Sequence, residues 1–360
     1  MKIGIVTLPL KNNYGGVLQN WALQQVLMDM GHDPITLDAY IRYPMTRYLM
    51  STILSYCYQI VGKKRAFQPR PYNNRICSKF TGRFIRKHIK MTKPMIDYTS
   101  SLVKDFNLEA IIVGSDQVWR PKYQKGDIED MFLRFAFDDD IIRVVYGASF
   151  GVDSWEFSEK QTSICKELIK KFDAISVRED GGRVLCDRYL NVKASHVLDP
   201  TLLIDTNRYK ELCKKCTVDT SNTIVVYCLD NFNENRERFE KIANDNNLKL
   251  KMFTADSNIS ISVEQWLALF RDASFIVTDS FHGTIFSIIF QKPFFTIINQ
   301  SRGGSRFISL LRWLGMEDRI YTDNMIYSRD INWSDVNRRL TKLKAESWQF
   351  INDALKSNPS

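Results

Sequence analysis

Short apolar runs alternate with longer amphipathic segments along most of the chain, and this alternation predicts strands and helices in turn. Helical patterns are present at 16–31 and 158–172, and the second begins with Ser158 and Gln161 in the spacing of a capping box. Strands that alternate with helices are typical of a parallel sheet covered on both faces. In the first half, apolar runs predict strands at 2–8, 35–40, 109–114, 143–149, 174–178 and 195–199.

The same pattern starts again after a polar stretch at 214–222. Apolar runs there predict strands at 223–229, 248–254, 274–280 and 293–298. We therefore predict an α/β fold of two Rossmann-like, doubly wound domains that face a cleft, at about 1–205 and 218–330. A closing helix is expected at about 334–356. Because such sheets bind ligands at the carboxyl ends of their strands, the cleft between the domains is the expected site.

Composition narrows the class of protein. Hydrophobic residues make up 44% and charged residues 25%, as in ordinary globular proteins. The apolar stretch at 48–62 is too short and too polar to span a bilayer. The first residues are apolar but stop at Pro9, which favours a strand over a secretory leader. With an odd number of cysteines, seven, the pattern predicts a cytoplasmic location.

The net charge of +9 is concentrated in one segment. Residues 39–96 contain thirteen Lys and Arg and no Asp or Glu, whereas the rest of the chain holds 37 basic and 41 acidic residues. We interpret 41–96 as a basic helical insertion in the first domain. Two interpretations stay open: peripheral contact with anionic lipids or a lipid-linked acceptor at the inner face of the membrane, or a solvated basic helix pair. No nucleic-acid-binding signature is present, so no nucleic acid is expected.

His282 is the strongest single candidate for chemistry, because it follows the apolar strand at 274–280 and begins the next helix. Free backbone N–H groups at that helix start attract anions and disfavour a protonated imidazole without an anion beside it. His282 is therefore predicted to be an acid placed against a bound anion. The alternative is that it only caps the helix. Its neighbours Ser280, Phe281 and Gly283 are candidate substrate-binding residues.

Two further loops follow predicted strands. The first contains Asn13, Tyr14, Gly15 and Gly16, and paired glycines allow a tight turn or a close approach of a ligand. The second lies at 114–119, after the predicted strand at 109–114.

Ser115, Asp116 and Gln117 bring a hydroxyl, a carboxylate and an amide close to Trp119, which suits a sugar. The alternative is a helix cap formed by Ser115 or Asp116.

Two arginines are candidates for holding an anion. Arg178 ends a predicted strand and can grip a carboxylate or phosphate with both arms of its guanidinium, unless it pairs with Glu179 or Asp180. Arg306 begins a predicted helix and is the second candidate. Cys213 and Cys216 form a single CxxC without a second cysteine pair or a histidine pair, so no metal is expected.

These stretches together resemble the polysaccharide pyruvyl transferase family. The matching pieces are NYGGVLQNWAL from 13, GSDQVW from 114, SVRED from 176, DPTLL from 199 and TDSFHGTIFSIIFQKPF from 278. They stand in the family's order and cover most of the chain.

The resemblance implies a fold like that of the two-domain GT-B glycosyltransferases. It also implies transfer of pyruvate from phosphoenolpyruvate to two hydroxyls of a sugar, giving a ketal and phosphate. Phosphoenolpyruvate is then a donor substrate, and no cofactor is implied. Family residues associated with this donor correspond to His282 and Arg178, and the acidic residue of the SDQVW motif corresponds to Asp116. Some members have Arg where this chain has Ser280, so the donor's charge needs another partner here, for which Arg306 is the candidate.

Two other functions fit the same residues. A GT-B glycosyltransferase would place the diphosphate of a nucleotide sugar against Arg178 and Arg306. A non-catalytic binder of anionic glycans would use 41–96 and would not need His282. Pyruvyl transfer and glycosyl transfer both require a saccharide acceptor as the partner, free or linked to lipid.

Overall fold

The computed structural model describes residues 1–39, 45–62, 79–95, 97–124, 126–220, 222–230, 236–254, 261–298, 303–322 and 328–356. Within the predicted basic insertion, residues 41–44, 63–78 and 96 lie outside the described residues. In the described part, no helix combines the length and the apolar character needed to cross a membrane.

The first half of the chain forms a six-stranded parallel sheet. Its strands are β1 (Lys2–Val6), β2 (Asp33–Thr36), β3 (Ala110–Val113), β4 (Ile142–Ala148), β5 (Ala174–Val177) and β6 (Ser195–His196), in the order β2-β1-β3-β4-β5-β6. The accompanying helices are α1 (Tyr14–Asp29), α2 (Met45–Ile60), α3 (Lys79–His88), α4 (Leu102–Asp105), α5 (Glu159–Leu168), α6 (Asp180–Leu185), α7 (Pro200–Leu203) and α8 (Thr206–Cys213).

Alternate residues of these strands enter two different apolar cores. On β1, Ile3 and Ile5 belong to one core and Val6 to the other. On β3, Ile112 belongs to the same core as Ile3 and Ile5, and Ile111 belongs to the same core as Val6. Continuous apolar strands of this kind are expected in a parallel sheet covered by helices on both faces.

The second half forms a four-stranded parallel sheet. Its strands are β7 (Thr223–Tyr227), β8 (Lys249–Phe253), β9 (Phe275–Thr278) and β10 (Phe294–Thr296), in the order β10-β9-β7-β8. The helices are α9 (Arg236–Asp245), α10 (Val263–Asp272), α11 (Phe281–Ile289), α12 (Ser305–Leu314) and α13 (Trp333–Ala354). The prediction of two doubly wound, Rossmann-like sheets that face each other in a GT-B-like arrangement is confirmed.

Two helices tie the halves together. The Tyr14 ring at the start of α1 stacks on Trp266 of α10, with 5.6 Å between ring centroids. The closing helix α13 returns to the first sheet, where the Ser347 hydroxyl accepts a hydrogen bond of 3.0 Å from the Leu198 N–H. The domain limits near 205 and 218 stay a prediction, because core packing continues from one sheet to the other.

Local signals in the sequence account for several helix starts. The Ser158 and Ser262 hydroxyls accept hydrogen bonds from the backbone N–H groups of Gln161 and Gln265, so both predicted capping boxes are present. The predicted first loop is partly wrong, because α1 begins at Tyr14 and includes both glycines of the pair. Only Asn13 lies outside the helix, at its N-cap.

Candidate active site between the two sheets

The candidate residues of three separate loops meet at the carboxyl ends of the strands. In each sheet the strand order reverses once, between β1 and β3 in the first and between β7 and β9 in the second. These reversals are the positions where doubly wound sheets open a crevice for ligands. The start of α1 follows β1, Ser115 and Asp116 follow β3, and the start of α11 follows β9.

His282 is buried in the first turn of α11, at 6% exposure, and faces the start of α1. A Cβ atom added to Gly15 would lie 2.1 Å from His282 Nδ1. Position 15 must therefore lack a side chain if the imidazole is to occupy this place. The cap of α11 is Ser280, whose hydroxyl accepts a hydrogen bond of 3.3 Å from the Gly283 N–H. His282 is not the cap, and its ring remains available for other contacts.

Asp199 lies on the other side of the imidazole. Its Oδ2 atom is 3.6 Å from His282 Nε2 and accepts hydrogen bonds from Arg178 Nη1 at 2.6 Å and from Ser115 Oγ at 3.1 Å. Its Oδ1 atom accepts from the Thr201 N–H at 3.0 Å and from the Thr201 hydroxyl. Burial would raise the pKa of Asp199, but His282 and Arg178 hold that pKa well below its usual value. Asp199 is thus a fixed carboxylate behind the imidazole.

Arg178 is held by two carboxylates of the first half. Besides Asp199, its Nη2 atom contacts Asp116 Oδ1 at 3.4 Å. Burial alone would lower the pKa of Arg178, but Asp199 and Asp116 raise it above its usual value. The alternative pairing with Glu179 or Asp180 is replaced by these partners, which lie further along the chain.

Asp116 has a backbone φ of 132°, a conformation that favours glycine and costs about 1–3 kcal/mol elsewhere in proteins. Its Oδ1 atom accepts a 2.8 Å hydrogen bond from the Gln117 N–H. Its Oδ2 atom would be 3.2 Å from a Cβ placed on Gly16. The carboxylate of Asp116 thus lies against the first turn of α1. No helix begins at Ser115 or Asp116 in the described chain, so the cap interpretation is wrong.

Arg306 brings a second buried guanidinium to the same place from α12. The guanidinium carbon atoms of Arg178 and Arg306 lie 5.0 and 5.1 Å from the centre of the Phe281 ring. Burial, followed by the positive charge of Arg178, lowers the pKa of Arg306 to about 10. Two buried cations of opposite halves thus share one aromatic neighbour, and an anion placed near them would reduce their repulsion.

Glu179 is a further acidic group that the sequence interpretation did not assign to the site. It is buried, and its Oε1 atom accepts a 3.0 Å hydrogen bond from the Phe150 N–H. Burial raises the pKa of Glu179, against the opposing effect of Arg178.

Asp199 is the other acidic residue of the site that was not predicted from the sequence. The sequence signal that could have identified it is its position before Pro200, a common arrangement at a helix start.

Some candidate residues do not reach this cluster. The Tyr14 hydroxyl donates to the Ile261 carbonyl at 2.7 Å, and burial raises the pKa of Tyr14 to about 12. Gln117 accepts from Arg120 Nη1 at 3.4 Å, and a Cβ on Gly283 would lie 2.3 Å from Thr278 Oγ1. The structure brings together Asn13, Gly15, Gly16, Ser115, Asp116, Arg178, Phe281, His282 and Arg306, with Asp199 and Glu179 added.

The family model for polysaccharide pyruvyl transferase matches residues 13–301, a span that includes every member of this cluster up to His282. The chain belongs to the polysaccharide pyruvyl transferase family. This is a family of transferases, and the suspected resemblance is confirmed. A comparison with curated proteins finds no match.

Solved structures that resemble this family member include two epimerases and a glycosyltransferase. The UDP-N-acetylglucosamine 2-epimerase from Rickettsia bellii has a TM-score of 0.49 at 10% identity, covering 99% of this chain and 97% of that chain. The UDP-GlcNAc 2-epimerase from Neisseria meningitidis has a TM-score of 0.44 at 10% identity, covering 100% and 95%. Spinosyn rhamnosyltransferase SpnG has a TM-score of 0.41 at 10% identity, covering 99% and 96%. At these values the likenesses carry no argument about activity.

Among the described residues, no group of three or more His, Cys, Asp or Glu side chains is arranged to hold a metal ion.

Proposed function

We propose that this protein transfers the pyruvyl group of phosphoenolpyruvate to two hydroxyls of a saccharide, forming a cyclic ketal and releasing phosphate. The observation that carries the proposal is the buried contact of His282 with Asp199, beside the guanidinium groups of Arg178 and Arg306. The family to which the chain belongs supports the same reaction class.

The donor anion is assigned to the space near Arg306. Arg178 already neutralises Asp199 and Asp116, so it orients these carboxylates and lends only part of its charge to a ligand. Arg306 lies across the Phe281 ring and has a pKa lowered by burial and by Arg178, which a bound carboxylate or phosphate would oppose. The first turns of α1 and α11 add backbone N–H groups that favour negative charge.

His282 is assigned the proton transfer to the donor. In this assignment its Nε2 atom faces the Asp199 carboxylate, and the carboxylate fixes the orientation of the imidazole. Asp199 is a positioning residue because it acts through His282. The 3.6 Å separation is longer than a hydrogen bond and is expected to shorten when the donor binds, as often happens in catalytic pairs.

The proposed reaction balances without a redox step. Protonation of the methylene carbon of phosphoenolpyruvate gives a methyl group and a cationic carbon, which one sugar hydroxyl attacks. The bond from that carbon to the phosphate oxygen breaks, and a second hydroxyl closes the ketal. Of the two hydroxyl protons, one replaces the proton given by His282 and the other leaves with phosphate. Buried, preorganised charges lower the energy of such charged intermediates.

Asp116 is assigned to the acceptor hydroxyl, which it orients or deprotonates. A cavity of about 330 Å³ lies at the carboxyl ends of β1 and β2 and offers a place for the sugar. Its lining includes Tyr98 and three carboxylates, those of Asp97, Asp127 and Asp130. Carboxylates accept hydrogen bonds from sugar hydroxyls, and an aromatic ring packs against a sugar face.

The cavity adjoins the cluster through one layer of polar groups. Thr7 lines the cavity, and its hydroxyl accepts a 3.2 Å hydrogen bond from Gln19 Nε2. The same nitrogen donates to the Gly16 carbonyl at 3.1 Å, in the helical turn that faces Asp116. A saccharide bound there would thus lie beside the turn that supports the acceptor carboxylate.

A cytoplasmic location is part of the proposal. The cysteines Cys57, Cys165, Cys186, Cys213, Cys216 and Cys228 are free thiols, which a reducing compartment favours. Phosphoenolpyruvate is consumed as a substrate, so the proposed reaction requires no cofactor.

The acceptor is unidentified, so the test uses donor binding. We would measure thermal unfolding with phosphoenolpyruvate, inorganic phosphate and a panel of nucleotide sugars. The proteins are the wild type, His282→Ala, and His32→Gln as a histidine control at the far end of α1. A ligand at about 100 times its dissociation constant adds roughly 2.7 kcal/mol.

Stabilisation by phosphoenolpyruvate that is altered in His282→Ala and unchanged in His32→Gln supports pyruvyl transfer. Stabilisation by one nucleotide sugar and not by phosphoenolpyruvate supports the glycosyltransferase alternative, in which Arg178 and Arg306 would bind the diphosphate of the donor. If no small ligand stabilises the wild type, the assignment of a donor site is wrong.

A further inference from the structure

Helix α2 presents its apolar side chains outward. Met50 is 65% exposed and Ile60 is 85% exposed, whereas the hydroxyl side chain of Ser55 is buried at 2%. An amphipathic helix that packs on its own protein core has the opposite orientation, with apolar residues inside and polar residues outside. The exposed large apolar residues of α2 and its final turn are Leu49, Met50, Ile53, Leu54, Tyr56, Tyr58, Ile60 and Val61.

The exposed residues form a continuous stripe. Leu49 and Ile53 are four residues apart, as are Met50 and Leu54, so each pair lies on one side of the helix. Ile60 continues the stripe to the last residue of α2, and Val61 follows directly after it. Contiguous exposed apolar surface of this kind marks a place where another apolar surface binds.

The positive charge of the segment that contains α2 indicates which kind of surface binds the apolar stripe. Residues 39–96, in which α2 lies, contain thirteen Lys and Arg and no Asp or Glu. Lys63, Lys64 and Arg65 follow α2 directly in the sequence. In the described part of α3, Arg83, Arg86 and Lys87 are exposed. An apolar stripe inside a purely basic segment is complementary to anionic headgroups above an acyl layer.

A second copy of the chain fits less well. In a two-fold dimer the same patch meets itself, so two basic segments would be brought together and would repel each other. The tyrosines at 56 and 58 also suit the boundary between water and acyl chains, where amphipathic rings are enriched. The 16 residues of α2 extend about 24 Å, enough to lie along a membrane surface.

We propose that α2 lies in the interfacial plane of a membrane containing anionic lipids, with its apolar stripe inserted and the surrounding basic residues on the headgroups. This inference does not depend on the proposed pyruvyl transfer, and each can fail without the other.

The test is co-sedimentation of the full chain with vesicles of neutral phosphatidylcholine, with or without roughly one-third phosphatidylglycerol. The binding variant is Ile53→Gln, Leu54→Gln and Ile60→Gln together. The matched control is Met28→Gln, Phe137→Gln and Val184→Gln, which replaces three exposed apolar residues outside α2. All six positions are exposed, so neither variant is expected to unfold the protein.

We expect the wild type and the control to bind the anionic vesicles, and the α2 variant to bind them at least about tenfold more weakly. Raising the salt from about 0.1 M to about 1 M should weaken binding by the wild type, because exposed charges are then screened. Equal binding by all three proteins, or no binding by the wild type, would overturn the proposal. A concentration-dependent dimer that only the α2 variant loses would also overturn it and would assign the stripe to a second copy.

Discussion

His282 Nε2 lies 3.6 Å from Asp199 Oδ2, although the two residues begin helices that follow different sheets. The contact joins an imidazole of the second half to a carboxylate fixed by Arg178 in the first half. The contact of His282 with Asp199 therefore exists only when the two halves are packed together.

Replacing Asp199 by Asn should destabilise the protein by about 3 kcal/mol near neutral pH, because Arg178 loses one of its two buried partners. The lowered pKa of Asp199 gives this loss a defined pH dependence. The carboxylate contributes stability above its ordinary pKa of about 3.9, and that contribution disappears as the pH falls through the lower folded value. Denaturant unfolding of wild type and variant at several pH values measures the difference.

The matched control for this experiment is Asp33→Asn, since Asp33 forms an exposed ion pair with Lys90 outside the proposed site. The control substitution should change the free energy of unfolding by no more than about 1 kcal/mol. Phosphate release from phosphoenolpyruvate, once the acceptor is known, should fall at least about 100-fold in Asp199→Asn. A variant as stable and as active as the wild type would show that Asp199 does not position His282.

Replacing Gly15 by Ala should displace the imidazole, because the new methyl group would lie 2.1 Å from His282 Nδ1. Gly16→Ala is the matched control in the same helical turn, where the nearest atom, Asp116 Oδ2, is 3.2 Å away. Both changes favour helix formation by about 1 kcal/mol, so any difference between them reports the local clash. We expect Gly15→Ala to unfold at lower temperature and to lose more activity than Gly16→Ala, and the reverse order would contradict the placement of His282.

The sequence predicted well those features that depend on short-range pattern. Apolar runs located the strands, and the two serine–glutamine spacings located the starts of α5 and α10. The position of His282 between a strand and a helix was also predicted, because the spacing of apolar residues changes there from that of a strand to that of a helix. Once a parallel sheet is assumed, strand ends meet at one edge, and this brought the three candidate loops to the same place.

The sequence did not show which side chains pair across the fold. Arg178 has acidic neighbours in sequence, yet its partners are Asp199 and Asp116, at separations of 21 and 62 residues. Tyr14 looked like a ligand contact beside two glycines, whereas its ring stacks on Trp266 of the other half. Such pairings depend on the docking of one sheet against the other, which leaves no periodic signal in either segment.

Arg306→Met should remove the stabilisation by phosphoenolpyruvate, because it removes the guanidinium assigned to the donor anion. The lowered pKa of Arg306 shows that burial and Arg178 disfavour its charge, and an apolar side chain of similar length avoids this cost. Arg319→Met is the matched control, because Arg319 is also buried but lies outside the cluster, where it pairs with Asp318. It should destabilise the free protein and keep the ligand-induced shift. Thermal unfolding with and without phosphoenolpyruvate distinguishes the variants, and an unchanged shift in Arg306→Met would assign the anion elsewhere.

The packing of β6 against α12 should weaken in acid through His196. Its ring centroid lies 3.6 Å from that of Trp313, and its Nδ1 atom lies 3.1 Å from Asp180 Oδ1. Burial lowers the pKa of His196 despite the opposing effect of Asp180. The neutral imidazole therefore contributes stability above its ordinary pKa of about 6.5, and this is lost as the pH falls through the lower folded value.

Thermal unfolding between about pH 7 and pH 5 measures this effect in the range where histidines titrate. His196→Phe keeps a ring against Trp313 but cannot take up a proton, so its unfolding temperature should fall less with pH than that of the wild type. Asp180→Asn removes the carboxylate that opposes the shift, and its unfolding temperature should fall more steeply. Equal slopes in all three proteins would mean that protonation of His196 does not control the contact between the two halves.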